Sequence, residues 1–246
     1  MPDIYKHGYD NFKKITVLFI LQIILGVLPF VLLVVYIGFS LYSNAVLGYV
    51  FIAVMAVTAA ANFTITKRYN VLLSGFKGEK SLMKTVKKLG GEYTLFSKVP
   101  LRYKKNRSEI DLLVMCDRYI IIIEVKNHSG YIYGNHKDET WTQRKIYRDG
   151  KTTETNMTSP IRQMRRQRDI IKSILRANDL DQWVDTVLYF SAPTVHLYLD
   201  LSDSDNVCSS EKELLEFLRT YKSPKPIDRD KLEKIKLLFK DMCSNK

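Results

Sequence analysis

The chain has 246 residues and a formal net charge of +12, a length that allows one or two domains. Its three cysteines are far apart and form no Cys-x-x-Cys pair, which excludes a disulfide framework and a cysteine zinc site. None of the 52 residues from 15 to 66 is charged, and residues 67–246 carry +11, that is, +12 minus the +1 of residues 1–14. This basic excess favours a polyanionic partner, nucleic acid or anionic lipid, although solubility alone also accounts for it.

The uncharged run predicts two membrane-spanning helices. One helix of this length would extend about 78 Å, whereas the hydrocarbon core of a bilayer is about 30 Å thick. The polar sequence Tyr42-Ser43-Asn44 favours a turn, so we expect spans near Ile15–Leu41 and Ala45–Ile65. Positive charges flank the run at both ends and not at the turn, which predicts a two-span cell-membrane protein with cytoplasmic N- and C-termini. The flanking basic residues are Lys13, Lys14, Lys67 and Arg68.

The predicted organisation has five segments. A cytoplasmic N-terminal segment at 1–14 precedes the two transmembrane helices at 15–66, through which the lipid bilayer is a partner. A linker at 67–77 leads to a soluble domain at 78–200. Residues 201–246 hold C-terminal helices that pack on the domain or extend it.

The soluble part alternates between helical and strand patterns. Leu82, Val86 and Leu89 are spaced for one apolar helix face, and the mixed order of elements predicts an α/β fold with a mixed sheet flanked by helices. Helices are expected at Gly78–Leu89, from Ser159-Pro160 to about Arg176, at Ser210–Thr220 and at Asp228–Asp241. Strands are expected at Thr94–Leu101, Ile110–Met115, Tyr119–Val125, Tyr131–Tyr133, Trp141–Tyr147, Thr186–Ser191 and Val195–Leu199.

The tight link at residues 116–118 predicts a hairpin between the two most apolar strands. If the turn is centred between Asp117 and Arg118, opposed residues have numbers that sum to 235, so Asp111 faces Glu124. Opposed side chains point to the same face, and Lys126, two residues beyond Glu124, shares it. The sequence therefore brings two carboxylates and one ammonium group together at one end of an apolar sheet.

Two interpretations of this cluster are open. Opposed like charges destabilise a strand pair, and Mg²⁺ or Mn²⁺ would compensate them. Such an ion polarises phosphoryl oxygens and lowers the pKa of bound water, and Lys126 could orient that water or stabilise charge on the phosphorus. Alternatively, Asp111 and Glu124 are strand-end charges and Lys126 is a solvated neighbour.

At these residues the chain resembles the nuclease-related domain (NERD) family of the PD-(D/E)xK nuclease superfamily. The resemblance runs from about Gly75 to Leu199 and rests on several motifs in order. They are Gly78-Glu79-Lys80, Glu109-Ile110-Asp111, Ile123-Glu124-Val125-Lys126-Asn127, Ser129-Gly130, Trp141 and Ser159-Pro160-Ile161-Arg162-Gln163.

The resemblance implies a restriction-endonuclease-like fold and a role for each matched position. Asp111, Glu124 and the Val125 carbonyl would be metal ligands, and Lys126 would be the catalytic lysine. On the same grounds, the first helix would contribute Glu79 and the later helix Gln163. The family usually has Asn where this chain has Ser159; both residues are good N-caps, so the helix start should be retained.

The helix after Pro160 is rich in arginine. Arg162, Arg165 and Arg166 share one face, because residues three and four apart are neighbours on a helix. Such a face could neutralise the phosphates of nucleic acid, or it could be a solvated face or one turned toward acidic lipid.

Three functions therefore remain for the soluble domain. The first is a membrane-anchored, Mg²⁺- or Mn²⁺-dependent nuclease that hydrolyses phosphodiester bonds of DNA or RNA. The second is a non-catalytic nucleic-acid-binding module that retains the nuclease fold. The third is a membrane-surface scaffold whose basic residues face anionic lipid.

Overall fold

The computed structural model describes residues 1–6, 12–40 and 45–244. The chain divides into two compact units, and the division falls between Phe76 and Lys77. The smaller unit lies within residues 9–76, and the larger unit combines the N-terminal residues with the chain from Lys77 onward.

Two apolar helices form the smaller unit. Helix α1 (Phe12–Ser40) continues through Pro29, and helix α2 spans Ala45–Val86. Both are long and apolar enough to cross a membrane by length and composition. They run antiparallel, because the rings of Phe19 and Tyr69 lie 5.8 Å apart and those of Tyr36 and Phe51 lie 5.3 Å apart. The predicted turn at 42–44 lies outside the described residues.

Helix α2 replaces three predicted segments: the second span, the linker at 67–77 and the helix at Gly78–Leu89. The segment predicted as a linker at 67–77 is helical and continuous with α2, because residues 66–77 contain no proline and Gly75 weakens a helix without ending it. Helix α2 ends at Val86, four residues before Gly90. Just after this end, the backbone N–H of Leu89 donates to the Val86 carbonyl at 3.0 Å. The limits of the domains themselves stay a prediction.

The larger unit is built on two sheets. Its strands in chain order are β1 (Asp3–Lys6), β2 (Thr94–Tyr103), β3 (Asn106–Cys116), β4 (Tyr119–Lys126), β5 (Gly130–Asn135), β6 (Thr140–Ile146), β7 (Thr152–Thr158), β8 (Asp185–Phe190), β9 (Val195–Asp200) and β10 (Asn206–Cys208). Its further helices are α3 (Pro160–Ala177), α4 (Glu211–Thr220) and α5 (Arg229–Ser244). The larger sheet has the order β1-β2-β3-β4-β8-β10, and the smaller sheet has the order β7-β6-β5-β9.

Helices cover both faces of the larger sheet. On one face, Ile122 of β4 packs with Ile171 of α3 and Phe239 of α5. On the other face, Leu112 of β3 packs with Val86 of α2 and Leu214 of α4. The expected α/β fold, a mixed sheet flanked by helices, is confirmed.

Three strands, β1, β7 and β10, and the second sheet escaped prediction. Strand β1 has only four residues, too few for a periodic pattern, yet it pairs in parallel with β2. Strand β7 reads Thr-Thr-Glu-Thr-Asn-Met-Thr and lacks the apolar alternation that marks a half-buried strand. The smaller sheet packs through Trp141 against Ile161 and Met164 of α3, which holds α3 between the two sheets.

Candidate active site

The hairpin of β3 and β4 has the register that the sequence predicts. Leu112 pairs with Ile123 and Cys116 with Tyr119, each pair summing to 235. Continued by one residue, this register sets Asp111 opposite Glu124. At this position the Asp111 side chain takes part in the hydrogen bonding between the strands: the backbone N–H of Val125 donates to Asp111 Oδ2 at 2.9 Å. The two carboxylates thus lie where the strand pairing ends.

Glu124 is the centre of the site and is only 3% exposed. Its Oε1 accepts from Lys126 Nζ at 2.7 Å and from Gln163 Nε2 at 2.8 Å, and its Oε2 accepts from Gln167 Nε2 at 3.0 Å. A buried carboxyl group with three hydrogen-bond donors, one of them a lysine, is held in a fixed orientation.

Lys126 and Gln163 are bonded to each other as well as to Glu124. Lys126 Nζ donates to Gln163 Oε1 at 3.1 Å. Gln163 thus accepts from the lysine through its oxygen and donates to the glutamate through its nitrogen. The Lys126 side chain is 21% exposed, so it lies between the buried Glu124 and solvent.

Gln167 is a site residue that the sequence did not reveal. It lies one turn after Gln163 on α3 and is fully buried. Its Nε2 donates to the Glu109 carbonyl at 2.9 Å as well as to Glu124, which ties α3 to the edge of β3. The only local signal was its i+4 spacing from Gln163, which places both amides on one helix face.

Glu79 reaches the site from α2, where Gly78 allows the close approach. A Cβ at Gly78 would lie 3.1 Å from Asn127 Cβ and 3.5 Å from Val125 Cγ2, so a larger residue would push the helix away from the end of β4. Glu79 forms an ion pair with Lys98 Nζ at 2.8 Å. The first helix therefore contributes a carboxylate that is already paired with a cation.

Lys98 is a second residue near the site that the sequence did not reveal. It is 7% exposed and lies within β2 at φ 56°, a left-handed conformation that costs a non-glycine residue on the order of 1–3 kcal/mol. Its neighbours Ser97 and Val99 pair with Leu112 and Ile110, so Lys98 occupies the position opposite Asp111. The fold holds a strained, buried lysine beside the acidic cluster.

Burial and the neighbouring carboxylates oppose the ionisation of Asp111. Burial, followed by the charge of Glu124, raises the pKa of Asp111 from 3.8 to about 7. The Val125 N–H and the Lys126 ammonium act in the opposite direction and lower it, while Glu79 raises it further. Asp111 is therefore the carboxyl group of the site that gains most from an added positive charge.

The donor chemistry fits a hard divalent cation, although the described geometry is not a complete metal cage. No group of three or more acidic, histidine or cysteine residues poised to hold an ion occurs among residues 1–6, 12–40 and 45–244. Two carboxylates nevertheless meet at Asp111 and Glu124, and carboxylate oxygens are the ligands that Mg²⁺ and Mn²⁺ take. The ligand set of Asp111, Glu124 and Val125 stays a prediction.

The three arginines predicted to share one face have different partners. Arg165 donates through Nη2 to Asp205 Oδ2 at 3.1 Å, and the Asp205 side chain is only 6% exposed. Arg162 pairs with the exposed Glu139, and Arg166 Nη2 donates to the Arg107 carbonyl at 3.1 Å. Arg165 is thus committed to a nearly buried ion pair, whereas Arg162 and Arg166 lie at the surface.

A groove of about 750 Å³ opens beside the site. Arg162, Arg165 and Arg166 line it together with Gln163 and Ser108. Gln163 bonds Lys126 and Glu124 and also lines the groove, so the groove adjoins the carboxylate cluster at this residue.

Helix α3 begins at Pro160 as expected, but without the predicted hydroxyl cap. Ser159 makes no side-chain capping bond, and its buried Oγ has no hydrogen-bond partner. The helix start is held instead by packing and by the backbone, where Ser159 N–H donates to the Glu139 carbonyl at 2.8 Å.

Comparison with known proteins identifies this part of the chain. Residues 74–191 match the family model of the nuclease-related domain, NERD. The chain carries a nuclease-related domain. The match begins in α2 four residues before Gly78 and ends directly after β8, so it includes every predicted catalytic and metal-binding position.

A curated relative is similar to part of the chain. An uncharacterized protein of Bacillus anthracis is 28% identical over 82 residues, which is 32% of this chain and 39% of that protein. The match thus spans well under two thirds of the relative's length. No solved structure matches the chain significantly.

Proposed function

We propose that the nuclease-related domain hydrolyses phosphodiester bonds of DNA or RNA with the aid of Mg²⁺ or Mn²⁺. The observation that carries the proposal is the network around Glu124, in which a buried carboxylate, a lysine and a glutamine are locked together beside a second carboxylate. A protein that only bound nucleic acid would have no use for this strained and mutually repelling set.

Each side chain has a role that follows from its contacts. Asp111 and Glu124, with the Val125 carbonyl, would hold the metal, which supplies a polarised phosphoryl oxygen and an acidified water. Lys126, at the solvent boundary, donates hydrogen bonds to the attacking water or to the charged phosphoryl oxygens. Gln163 holds the Lys126 ammonium in place.

The basic groove provides the binding surface for the substrate backbone. Arg162 and Arg166 offer guanidinium groups that match phosphate geometry, and Gln163 lies at the junction of groove and site. Phosphate contacts position a nucleic acid without selecting its sequence. The groove therefore supports a nuclease of low sequence specificity.

The two groove arginines are expected to respond differently to substitution. Arg166→Gln should weaken nucleic-acid binding and reduce the dependence of log K on log salt by roughly one phosphate contact, with little change in stability. Arg165→Gln should lower the free energy of unfolding by roughly 1–3 kcal/mol, because it removes the charged partner of the nearly buried Asp205 while the Ser202 donors remain. Salt-dependent fluorescence anisotropy and thermal unfolding measure the two effects, and equal salt slopes for Arg166→Gln and the wild type would contradict the first.

We also propose that α1 and the apolar part of α2 anchor the domain to the cytoplasmic side of the cell membrane. Supporting this, β1 and β2 belong to the same sheet, so the N-terminal residues and the domain lie on the same side of any bilayer that the chain crosses. Two crossings meet this requirement, and the flanking lysines and arginine favour the cytoplasmic side.

The decisive experiment uses the full-length protein in nanodiscs, because a fragment that starts at residue 67 would lack β1. End-labelled and circular DNA and RNA, single- and double-stranded, are incubated with Mg²⁺, Mn²⁺ or a chelator. Cleavage should require the metal and fall on the order of 10²–10³-fold in Lys126→Ala, as for loss of a donor that stabilises charge in the transition state, while Lys105→Ala at an exposed loop should cleave normally. Equal cleavage by the wild type and Lys126→Ala would refute the proposal.

A second candidate is a non-catalytic nucleic-acid-binding module at the membrane. The observation that favours it is the closed network itself, since both oxygens of Glu124 already accept hydrogen bonds and must exchange partners to bind a metal. This candidate predicts salt-sensitive binding that is unchanged in Lys126→Ala, with no cleavage in either protein.

A further inference from the structure

Four aromatic rings form a ladder on the outer face of the smaller sheet. Successive side chains of a strand point to opposite faces of its sheet. Ile132 of β5 packs inward against α3, so its neighbours Tyr131 and Tyr133 point outward. Strand β9 pairs with β5 in parallel, which sets His196 beside Tyr131 and Tyr198 beside Tyr133.

The rings stack on one another and stay accessible. The Tyr131 and His196 ring centroids lie 5.0 Å apart with 23° between the ring planes. Those of Tyr133 and Tyr198 lie 5.1 Å apart with 19° between the planes, and Tyr131 lies 6.1 Å from Tyr198. Tyr198 is 56% exposed and Tyr133 is 36% exposed. The Arg144 guanidinium lies 5.5 Å from the centroid of the Tyr133 ring, so the row of π surfaces ends in a cation.

Both strands of the ladder begin where two strands of the candidate active site end. Lys126 is the last residue of β4, and its carbonyl accepts from the Ser191 N–H, just after β8, at 3.0 Å. Gly130 opens β5, and its N–H donates to the Thr194 carbonyl, just before β9, at 2.9 Å. Tyr131 is five residues from Lys126 and lies within about 18 Å of it, because a chain spans at most about 3.6 Å per residue. A nucleic-acid strand bound at the site can therefore continue over the ladder.

We propose that this ladder is a stacking platform for unpaired bases, so that the substrate of the site is a single-stranded nucleic acid. A row of aromatic side chains binds successive bases through their π faces and tolerates any sequence, and guanidinium planes stack on bases in the same way. The bases of a duplex are stacked on each other and present only their edges in the grooves. The proposal rests on the proposed nuclease function and deepens it, because it names the form of the substrate.

Charge and position favour nucleic acid over a protein partner at this face. Residues 67–246 carry +11, that is, +12 minus the +1 of residues 1–14, which attracts polyanions. Arg144 pairs with Glu154 at 2.7 Å, but their side chains are 46% and 50% exposed. An exposed ion pair of this kind is weak, so a phosphate can compete for the guanidinium group.

The test measures oligonucleotide binding by the full-length protein in nanodiscs, with a chelator present so that no metal-dependent cleavage occurs. Fluorescence anisotropy compares labelled oligothymidylate with the same strand annealed to its complement. Tyr133→Leu with Tyr198→Leu keeps the face apolar but removes two rings. It should weaken single-strand binding at least roughly 30-fold, as expected for two stacked bases, and leave duplex binding unchanged. Tyr133→Phe with Tyr198→Phe is the matched control, because it keeps both rings and should bind the single strand as the wild type does.

A third variant reports stacking directly and does not depend on the folding of the leucine variant. Tyr198→Trp keeps an aromatic ring on the ladder and adds a fluorophore. Its fluorescence in excess of that of the wild type should be quenched by the single strand and not by the duplex, since only unpaired bases can stack on the indole.

Each outcome bears on one proposal. Equal single-strand binding by the leucine variant and the wild type overturns the platform and is the result that a protein partner at this face predicts. An equal loss of duplex binding, a loss in the phenylalanine variant, or no quenching in Tyr198→Trp overturns it as well. Metal-dependent cleavage is a separate readout: normal cleavage without a ring effect removes only the platform, and a ring effect without cleavage removes only the nuclease activity.

Discussion

Replacing Asp111 by asparagine is expected to reduce metal-dependent cleavage on the order of a thousandfold and, at the same time, to stabilise the metal-free protein at pH 8. Asparagine keeps an oxygen for the Val125 N–H that now bonds Asp111 Oδ2 at 2.9 Å, so the local geometry is retained. The substitution removes a charge that burial and Glu124 disfavour. We expect a gain on the order of 1–3 kcal/mol, the usual cost of a buried polar group that is poorly compensated.

The pH dependence of stability follows from the same carboxyl group. Its pKa is about 7 in the folded protein, against a usual value of 3.8, so the folded state binds a proton that the unfolded state has released. Stability from this group is therefore fully present below about pH 4 and is lost as the pH rises to about 7. Thermal unfolding in a chelator should show this loss between pH 5 and pH 8 in the wild type and a smaller loss in Asp111→Asn.

Added Mg²⁺ should reverse the ranking of the two proteins. At pH 8 the ion is expected to raise the unfolding midpoint of the wild type, because it neutralises the carboxylates, and to leave Asp111→Asn nearly unchanged. Cleavage should fall on the order of a thousandfold, since the ion's Lewis-acid contribution is several kcal/mol and each 1.36 kcal/mol is tenfold. If Mg²⁺ still stabilises Asp111→Asn, Asp111 is not a ligand. If Asp111→Asn is destabilised without metal, the argument from the buried charge is wrong.

The site residues that the strand pattern predicted lie close together in the sequence. Asp111, Glu124 and Lys126 lie on two strands joined by a tight turn, and the period of two along a strand fixes which face each side chain takes. One assumption about the turn was then enough to set the register. The predicted register is confirmed, because no distant element changes the pairing of these two strands.

The missed residues depend on distant contacts. Lys98 and Glu79 are 19 residues apart, and nothing near Lys98 in the sequence signals a left-handed backbone. Arg165 resembled its neighbours on the helix face until the fold brought Asp205, 40 residues later, beside it. Ion pairs between residues that are distant in the sequence depend on how the helices and loops pack on the sheet. The periodicity of a helix predicts which face a residue takes, but not the residue that it meets.

The two apolar helices illustrate a third limit. Composition marked residues 15–66 as the uncharged segment, and charge alone suggested that a helix would end near Lys67. The backbone hydrogen bonds of a helix form equally well between apolar and between charged residues. Helix α2 therefore continues past Lys67 as far as Val86. Hydropathy predicts where the solvent changes, whereas only a breaker or a tertiary contact ends the helix.

Lys98→Met is expected to tighten Mg²⁺ binding by at least roughly tenfold, because it removes a cation that competes for the acidic cluster. Glu79, Asp111 and Glu124 contribute three negative charges when ionised, against the two positive charges of Lys98 and Lys126. A metal ion therefore enters a cluster that is already largely neutralised from within. Methionine has a similar length and the same aversion to a positive φ, so the substitution changes the charge and leaves the backbone strain in place.

The same variant should be less stable without metal. Removing Lys98 leaves Glu79 without its partner at 2.8 Å, at a cost of roughly 1–3 kcal/mol for a partly buried charge. Mg²⁺ should then restore more stability to Lys98→Met than to the wild type. Lys151→Met, which removes one cation of an exposed ion pair with Asp149, is the matched control and should change neither quantity.

Calorimetric titration of Mg²⁺ into the detergent-solubilised full-length proteins measures the affinity directly, independently of any cleavage. Tighter binding in Lys98→Met identifies the lysine as an internal counter-ion that keeps the acidic cluster intact until metal arrives. Weaker binding would mean instead that Lys98 holds Glu79 in the position the ion requires, and the counter-ion role would be wrong. Tighter binding would also explain the strained conformation of Lys98 at φ 56°. A backbone turned out of the strand geometry directs the lysine from β2 toward Glu79 on α2, where it acts as the counter-ion.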